Sequence, residues 1–150
     1  MSGIIGFTAL ILIFLIVASS STVLVYEYKE KIARKELEAI GSSIASQMVE
    51  SVSIAYNLLP GESTLIRIEM PNECSLGHYT VSIGIVNGKV TLTLKPITYP
   101  RPEVNVPVPL STNVFTILSS SIYSGSNRNY INITATDSGL QIKLVYVRGS

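Results

Sequence analysis

The chain has 150 residues, a length that suits one domain or a small domain with an appendage. Charged residues make up 14 % of it, the formal net charge is +1 and the mean hydropathy is +0.41. A net charge this small is too weak to hold a polyanion, and we therefore expect no nucleic-acid partner. The low content of charged residues excludes a disordered chain. The composition predicts that some apolar surface contacts lipid or a partner chain.

The N-terminal segment from Met1 to Tyr26 contains no Asp, Glu, Lys, Arg or His. As a helix it would extend about 39 Å, more than the hydrocarbon core of a bilayer. A secretory signal peptide has a basic segment before a shorter apolar run and a small-residue cleavage site after it. Neither feature is present here, so the segment is predicted to be a retained, membrane-length helix.

The helical pattern continues beyond the apolar run. Apolar residues recur at steps of three and four from Leu37 to Leu59, and the opposite face is polar, which is typical of an amphipathic helix. The first proline is Pro60, and Gly61 follows it, which is a strong helix stop. One helix is therefore predicted from about Gly3 to Leu58, with its first half projecting from a domain and its second half packed against it.

The residues after Pro60 alternate between apolar and polar side chains, as β-strands do. Two hairpins are predicted, one turning at Asn87-Gly88 and one between Asp137 and Gly139. The prolines between residues 96 and 109 indicate edge segments, and residues 119–129 are predicted to form a polar loop. The predicted fold class is α+β: a long N-terminal α-helix (1–59, with the apolar segment at 1–26) followed by a small antiparallel, sandwich-like β-domain (60–150).

An unbroken helix that is first apolar and then amphipathic, followed by a β-domain, resembles the type IV pilins. The resemblance is carried by Gly6-Phe7-Thr8-Ala9-Leu10 and the apolar run after it. The sequence from Tyr79 to Ile83 before the Asn-Gly turn, and the lack of proline before Pro60, look more like archaeal pilins and archaellins. The resemblance implies a homopolymer that inserts in the membrane, is assembled by type IV machinery into a surface filament, and serves adhesion or surface contact. It implies no cofactor, and its assembly residues are expected in the apolar helix: Phe7, Leu10, Ile11, Phe14, Leu15 and Ile16.

Two features depart from the pilin pattern. Pilins carry a short basic leader that ends in glycine, whereas no Lys or Arg precedes Gly3 or Gly6, so the sequence is expected to be that of a mature or an uncleaved chain. With cleavage after Gly6 the fifth residue would be Ile11, where bacterial pilins usually carry glutamate. Stator subunits of the archaellum share the helix and β-domain without a cleaved leader. The alternative is therefore a membrane-anchored, monomeric β-domain that contacts the cell envelope.

The charges that follow the apolar run bear on which side of the membrane the β-domain lies. Lys29, Lys31, Arg34 and Lys35 come directly after it, and basic residues beside a span usually face the cytoplasm. Asn132 begins an N-glycosylation sequon on the polar face of a predicted strand, which favours the outside. We expect the β-domain at the cell surface and Asn132 as a candidate glycosylation site.

Side chains for catalysis or metal binding are scarce in the sequence. Cys74 is its one cysteine and His78 its one histidine, so neither an internal disulfide nor a four-ligand zinc site can form from them. Glu69 and Glu73 add carboxylates near this pair, but we expect no metal there. The sequence has no glycine-rich phosphate loop, nucleophile elbow or evident carboxylate pair, and we expect no catalytic residue and no enzymatic activity.

Overall fold

The computed structural model describes residues 2–126 and 128–147, with side chains from residue 7 onward. Within these ranges the chain forms one α-helix, α1 (Ser2–Ala55), and eight β-strands. The strands are β1 (Ser63–Arg67), β2 (Tyr79–Val86), β3 (Lys89–Pro96), β4 (Val104–Pro107), β5 (Phe115–Ile117), β6 (Ser120–Tyr123), β7 (Asn129–Thr136) and β8 (Gly139–Tyr146). The predicted α+β fold class is confirmed.

Helix α1 joins the apolar segment and the amphipathic segment without a break. It has 54 residues, which is about 81 Å at the helical rise. The last helical residue is Ala55, whose carbonyl accepts a hydrogen bond from the N–H of Leu58 at 3.1 Å. Pro60 and Gly61, which has a φ of +90°, then turn the chain into the first strand. The predicted stop signal therefore lies just beyond the end of the helix.

Both predicted hairpins are confirmed. Strands β2 and β3 pair along their whole length, from Tyr79 opposite Pro96 to Val86 opposite Lys89. Asn87 and Gly88 at the turn have φ values of +51° and +74°, the left-handed pair that a two-residue hairpin turn with the twist of its strands requires. Strands β7 and β8 pair in the same complete way across the second turn.

The eight strands form two sheets that enclose one core. Their strand orders are β1-β7-β8-β5 and β4-β3-β2-β6. The sheets meet where the chain passes from β5 to β6: the N–H of Leu118 donates to the carbonyl of Ile142 at 2.9 Å, and the N–H of Leu144 donates to the hydroxyl of Ser120 at 2.8 Å. Alternate residues of both hairpins are buried between the sheets: Tyr79, Val81, Ile83, Val90, Leu92, Leu94, Ile131, Ile133, Ala135, Ile142 and Leu144.

The region around β5 and β6 differs from the prediction. The polar loop predicted at residues 119–129 is wrong at its start, because Ser120–Tyr123 forms β6 and pairs with β2 at the edge of the second sheet. Strand β5 pairs with β8 in parallel, which is the exception in an otherwise antiparallel arrangement. These strands have only 3 and 4 residues, too few to display the alternation by which strands are predicted.

The proline-rich stretch occupies an edge, as predicted. Strand β4 lies at the end of the second sheet and pairs there with β3. Proline has no N–H to donate to a neighbouring strand, so an edge tolerates it where a central strand does not. Pro107 closes β4, opposite Thr91.

The second half of α1 completes the core of the β-domain. It contacts β3, β4 and β7 with the stripe that the sequence predicts, and Leu37, Ile44 and Met48 are completely buried. Gly41 lies on the same stripe, where a Cβ atom would come within 2.6 Å of Val106 Cγ2 on β4 and 2.8 Å of Leu94 Cδ1 on β3. The helix backbone therefore approaches the sheet as closely as only glycine allows.

We predict that Gly41→Val lowers the free energy of unfolding by about 2 kcal/mol, because a branched side chain must displace Val106 in a packed core. Ser42→Val is the matched control: Ser42 is exposed on the next position of the same turn, and the substitution should change stability by no more than about 0.5 kcal/mol. Urea unfolding of the full chain in detergent micelles, followed by the near-ultraviolet circular dichroism of its tyrosines, measures both. Equal stability of the two variants would contradict the close approach.

Candidate assembly surface

Residues 7–25 of helix α1 are not covered by the rest of the described chain. Every side chain from Phe7 to Val25 is exposed, and none of the most apolar 18-residue window is buried. By length and apolar composition this helix can cross a membrane. The six predicted assembly residues are between 43 % and 71 % exposed: Phe7, Leu10, Ile11, Phe14, Leu15 and Ile16.

The exposed apolar residues surround the helix on all sides. Successive residues of an α-helix are about 100° apart, so the unbroken run from Leu10 to Val17 points in every direction around the axis. A helix that is apolar all round needs apolar surroundings on every side, unlike a striped helix that needs only one covering partner. We refer to residues 7–25 as the apolar rod. Lipid or other apolar helices would provide such surroundings.

Three hydroxyl groups of the apolar rod form hydrogen bonds within the helix itself. The hydroxyl of Ser19 donates to the carbonyl of Leu15 at 2.8 Å, and Ser21 and Thr22 donate to the carbonyls four residues before them at 2.8 and 2.9 Å. A hydroxyl with an internal acceptor is less costly to bury in an apolar medium than an unpaired one. The serine-rich part of the rod is therefore compatible with the same apolar surroundings as the rest.

The β-domain begins to cover the helix at the residue where the apolar rod ends. Tyr26 is partly buried, and its ring centroid lies 5.6 Å from that of Tyr99 in the segment that follows β3. Charged residues start immediately afterwards, and Glu30 and Arg34 lie 3.9 Å apart as an ion pair. We call residues 26–36 the neck. The sequence marks the change from apolar to charged at the neck, but it does not indicate that Tyr99 lies there.

Two side chains of α1 hold the segment between β1 and β2 against the helix. The side-chain amide of Gln47 pairs with both backbone groups of Glu69, donating to the carbonyl at 2.8 Å and accepting from the N–H at 2.9 Å. The carboxylate of Glu36 accepts hydrogen bonds from the N–H and the hydroxyl of Ser75, at 2.6 and 2.8 Å. These contacts and the shared core set the direction of the helix relative to the sheets. No local pattern in the sequence indicates either contact.

Cys74 and His78 are engaged in a tight local structure rather than in a ligand cluster. Cys74 and Gly77 exchange two backbone hydrogen bonds of 2.9 Å, and the thiol lies 3.3 Å from the Gly77 carbonyl. His78 Nδ1 is 2.9 Å from the Asn72 carbonyl, and His78 Nε2 is 3.4 Å from a carboxylate oxygen of Glu73. Among the described residues, no group of three His, Cys, Asp or Glu side chains is arranged to hold a metal ion.

Asn132 lies on the outer face of β7, as the alternation of that strand predicts. Its neighbours across the sheet are Leu65 on β1 and Lys143 on β8. The side chain is only partly exposed, and its Oδ1 atom is buried without a hydrogen-bond partner among the described atoms. Glycosylation at Asn132 stays a prediction, and the strand that carries the residue is a central strand of its sheet.

Comparison of the chain with protein-family models, curated proteins and solved structures finds no match in any of the three. The uncovered apolar rod is therefore the feature on which a function for this protein must rest. Contiguous apolar surfaces of this extent mark sites of contact with membranes or with other proteins.

We predict that the Cys74 thiol reacts slowly with iodoacetamide in the folded protein. Burial is the main cause that raises the pKa of this thiol above its ordinary value of 9.0, and the nearby Glu36 carboxylate raises it further. A raised pKa leaves less of the reactive thiolate at any pH below it, so the midpoint of the alkylation rate should lie above pH 9.0.

The control for this measurement is the same chain unfolded in guanidinium chloride, in which the thiol regains its ordinary pKa. Mass spectrometry of the alkylated protein at a series of pH values gives both profiles. A folded protein that reacts as fast as the unfolded chain at pH 8 would contradict the burial of Cys74.

Proposed function

We propose that this protein is the structural subunit of an extracellular type IV pilus-like filament and that it polymerises through the apolar rod. The observation that carries the proposal is the continuity of helix α1, which is uncovered over residues 7–25 and packs one face into the core of the β-domain from Leu37 onward. A filament subunit needs such a rigid connection, because its helix and its outer domain must both contact neighbouring copies in one register.

The energetics of the apolar rod favour lipid before assembly. Its Leu, Ile, Phe and Val side chains each prefer the centre of a membrane by about 0.3–0.6 kcal/mol, on the order of 4–8 kcal/mol for the whole segment. A bundle of identical rods keeps the same surface away from water, so transfer from lipid to a filament core costs little. The net driving force then comes from close helix packing and from contacts between β-domains, because lipid is as apolar as leucine.

The rod has features that suit a closely packed bundle. Ala18, Ser19, Ser20 and Ser21 are small, and small residues let helix backbones approach one another in an apolar medium. Contact between two different faces of identical subunits does not close on itself and generates an open helical polymer. In such a polymer the rods form the centre and the β-domains form the wall.

Within this proposal the protein starts in the membrane, is extracted by type IV assembly machinery and ends at the cell surface. The outer faces of both sheets carry many hydroxyl and amide side chains, among them Ser82, Thr93, Asn105 and Thr134. A wall of this chemistry suits adhesion or surface contact, and the glycan predicted at Asn132 would lie on it.

The alternative function is that of a membrane-anchored monomer whose β-domain binds an envelope component. A simple anchor needs only enough apolar length to stay in the bilayer. It does not need a rod that continues rigidly into the core of the outer domain, which is why we favour the filament subunit.

We predict that Phe14→Lys abolishes filaments but leaves the chain in the membrane. Lysine at the centre of a span costs about 2.5–3.5 kcal/mol, which is less than the preference of the whole rod for lipid. In a filament the same substitution would repeat a buried charge in every subunit along the core, since Phe14 is 71 % exposed and must contact neighbours there.

The measurement is electron microscopy of material sheared from cells that express the chain, with mass spectrometry of the sheared material and of the membrane fraction. Phe14→Leu keeps an apolar side chain at the same position and should assemble normally. Normal filaments from Phe14→Lys would contradict a core made of rods. If the unaltered chain is found only in membranes and gives no filaments, the anchored module is the correct function.

A further inference from the structure

A short exposed segment lies beside the helix where the apolar rod ends. It follows β3 and comprises residues 97–101, which we call the proximal loop; all of these residues are exposed. The Ile97 N–H is held by the carbonyl of His78 at 2.9 Å, and Tyr99 contacts Tyr26 ring to ring at 5.6 Å. The loop is therefore held both by the residue that precedes β2 and by the neck of the helix.

The level of this contact along the helix coincides with the end of the stretch that can enter hydrocarbon. Tyr26 is the last residue before the first charged side chain, Glu27, and Lys29, Glu30 and Lys31 follow within the next turns. Charged groups cannot follow the rod into the bilayer core, so Tyr26 lies at the boundary between lipid and water whenever the rod is inserted. Tyrosine is enriched at this boundary in membrane proteins.

The composition of the proximal loop matches that boundary. Ile97 is 53 % exposed, although it is a large aliphatic residue, and Tyr99 is exposed beside it. Lys95 and Arg101 flank these two residues and are also exposed, and no acidic residue occurs between residues 95 and 102. An apolar tip between two cations suits the upper acyl chains and phosphates of a lipid surface.

A second apolar surface lies at the same level on another side of the neck. An open groove between α1 and the segment at Ser75 is lined by Leu24, Tyr28 and Ile32 among others. The region of the β-domain nearest to the rod therefore exposes apolar side chains at more than one position around the helix.

We propose that the proximal loop is a lipid-binding surface, which inserts Ile97 and Tyr99 into the headgroup region of the bilayer while Lys95 and Arg101 contact phosphates. This inference rests on the membrane stage of the proposed function. The loop then holds the β-domain against the bilayer in one orientation, so that subunits are presented to the assembly machinery in a uniform pose.

The absence of tryptophan from the chain allows a direct test. Ile97→Trp places a fluorescent reporter on the loop, and Ile85→Trp is its matched control, because Ile85 is also 53 % exposed but lies at the end of β2, far from the neck. Leu12→Trp reports on the rod itself. Each full-length variant is reconstituted in vesicles of phosphatidylcholine and phosphatidylglycerol whose acyl chains are brominated near the headgroup.

We expect the emission of Ile97→Trp to be blue-shifted and to lose roughly half of its intensity in brominated vesicles, as an aromatic side chain at the headgroup level would. Ile85→Trp should emit as in water and lose no intensity. If Ile97→Trp behaves like Ile85→Trp in vesicles that contain the inserted protein, the proposal is wrong. A blue shift of the Ile97→Trp emission that occurs in assembled filaments but not in vesicles would also overturn the proposal, because the loop would then contact a second subunit rather than lipid.

The experiment separates this proposal from the proposed function. Flotation of the unaltered chain with vesicles, together with quenching of Leu12→Trp, reports insertion of the rod independently of the loop. If Ile97→Trp is not quenched while Leu12→Trp is, the proposed lipid contact is wrong and the proposed filament function still stands. Failure of Leu12→Trp to be quenched would remove the membrane stage and the lipid contact together.

Discussion

Helix α1 carries two surfaces that need different surroundings, and its unbroken backbone joins them. Residues 7–25 expose apolar side chains in all directions, whereas the segment from Ala33 to Ala55 is part of the β-domain core. Neither segment of the helix would be stable in the surroundings that the other one needs. The change at Tyr26 therefore suits a boundary between apolar surroundings and water.

The second half of helix α1 is an integral part of the β-domain. The two sheets meet at the passage from β5 to β6, and α1 packs against β3, β4 and β7. Without the helix, the inner faces of these strands would be exposed to water. The close approach at Gly41 and the amide pairing of Gln47 with Glu69 then set the direction of the helix relative to the sheets.

The residues around the neck relate this architecture to the two proposed stages of the subunit, in the membrane and in the filament. In the proposed function, the rod lies in lipid before assembly, and the proximal loop would then lie at the lipid surface. In the proposed filament, other rods would replace the lipid and the β-domains would contact one another. One rigid helix suits both proposed states, because lipid and a bundle of apolar helices are equally acceptable surroundings for aliphatic side chains.

Elements whose signal is local and repeated can be predicted from the amino-acid sequence alone. The uncharged run, the stripe from Leu37 to Val52 and the two hairpins with their Asn87-Gly88 and Asp137–Gly139 turns follow from periodicity and turn chemistry, which act over a few neighbouring residues. The long-range packing of the chain, by contrast, makes Ser120–Tyr123 a strand, brings Tyr99 to Tyr26, lets Glu36 and Gln47 anchor a distant segment, and places Gly41 against β4. Each of these depends on residues far apart in the chain, whose meeting is set by how the helix and sheets pack, and no local pattern records it.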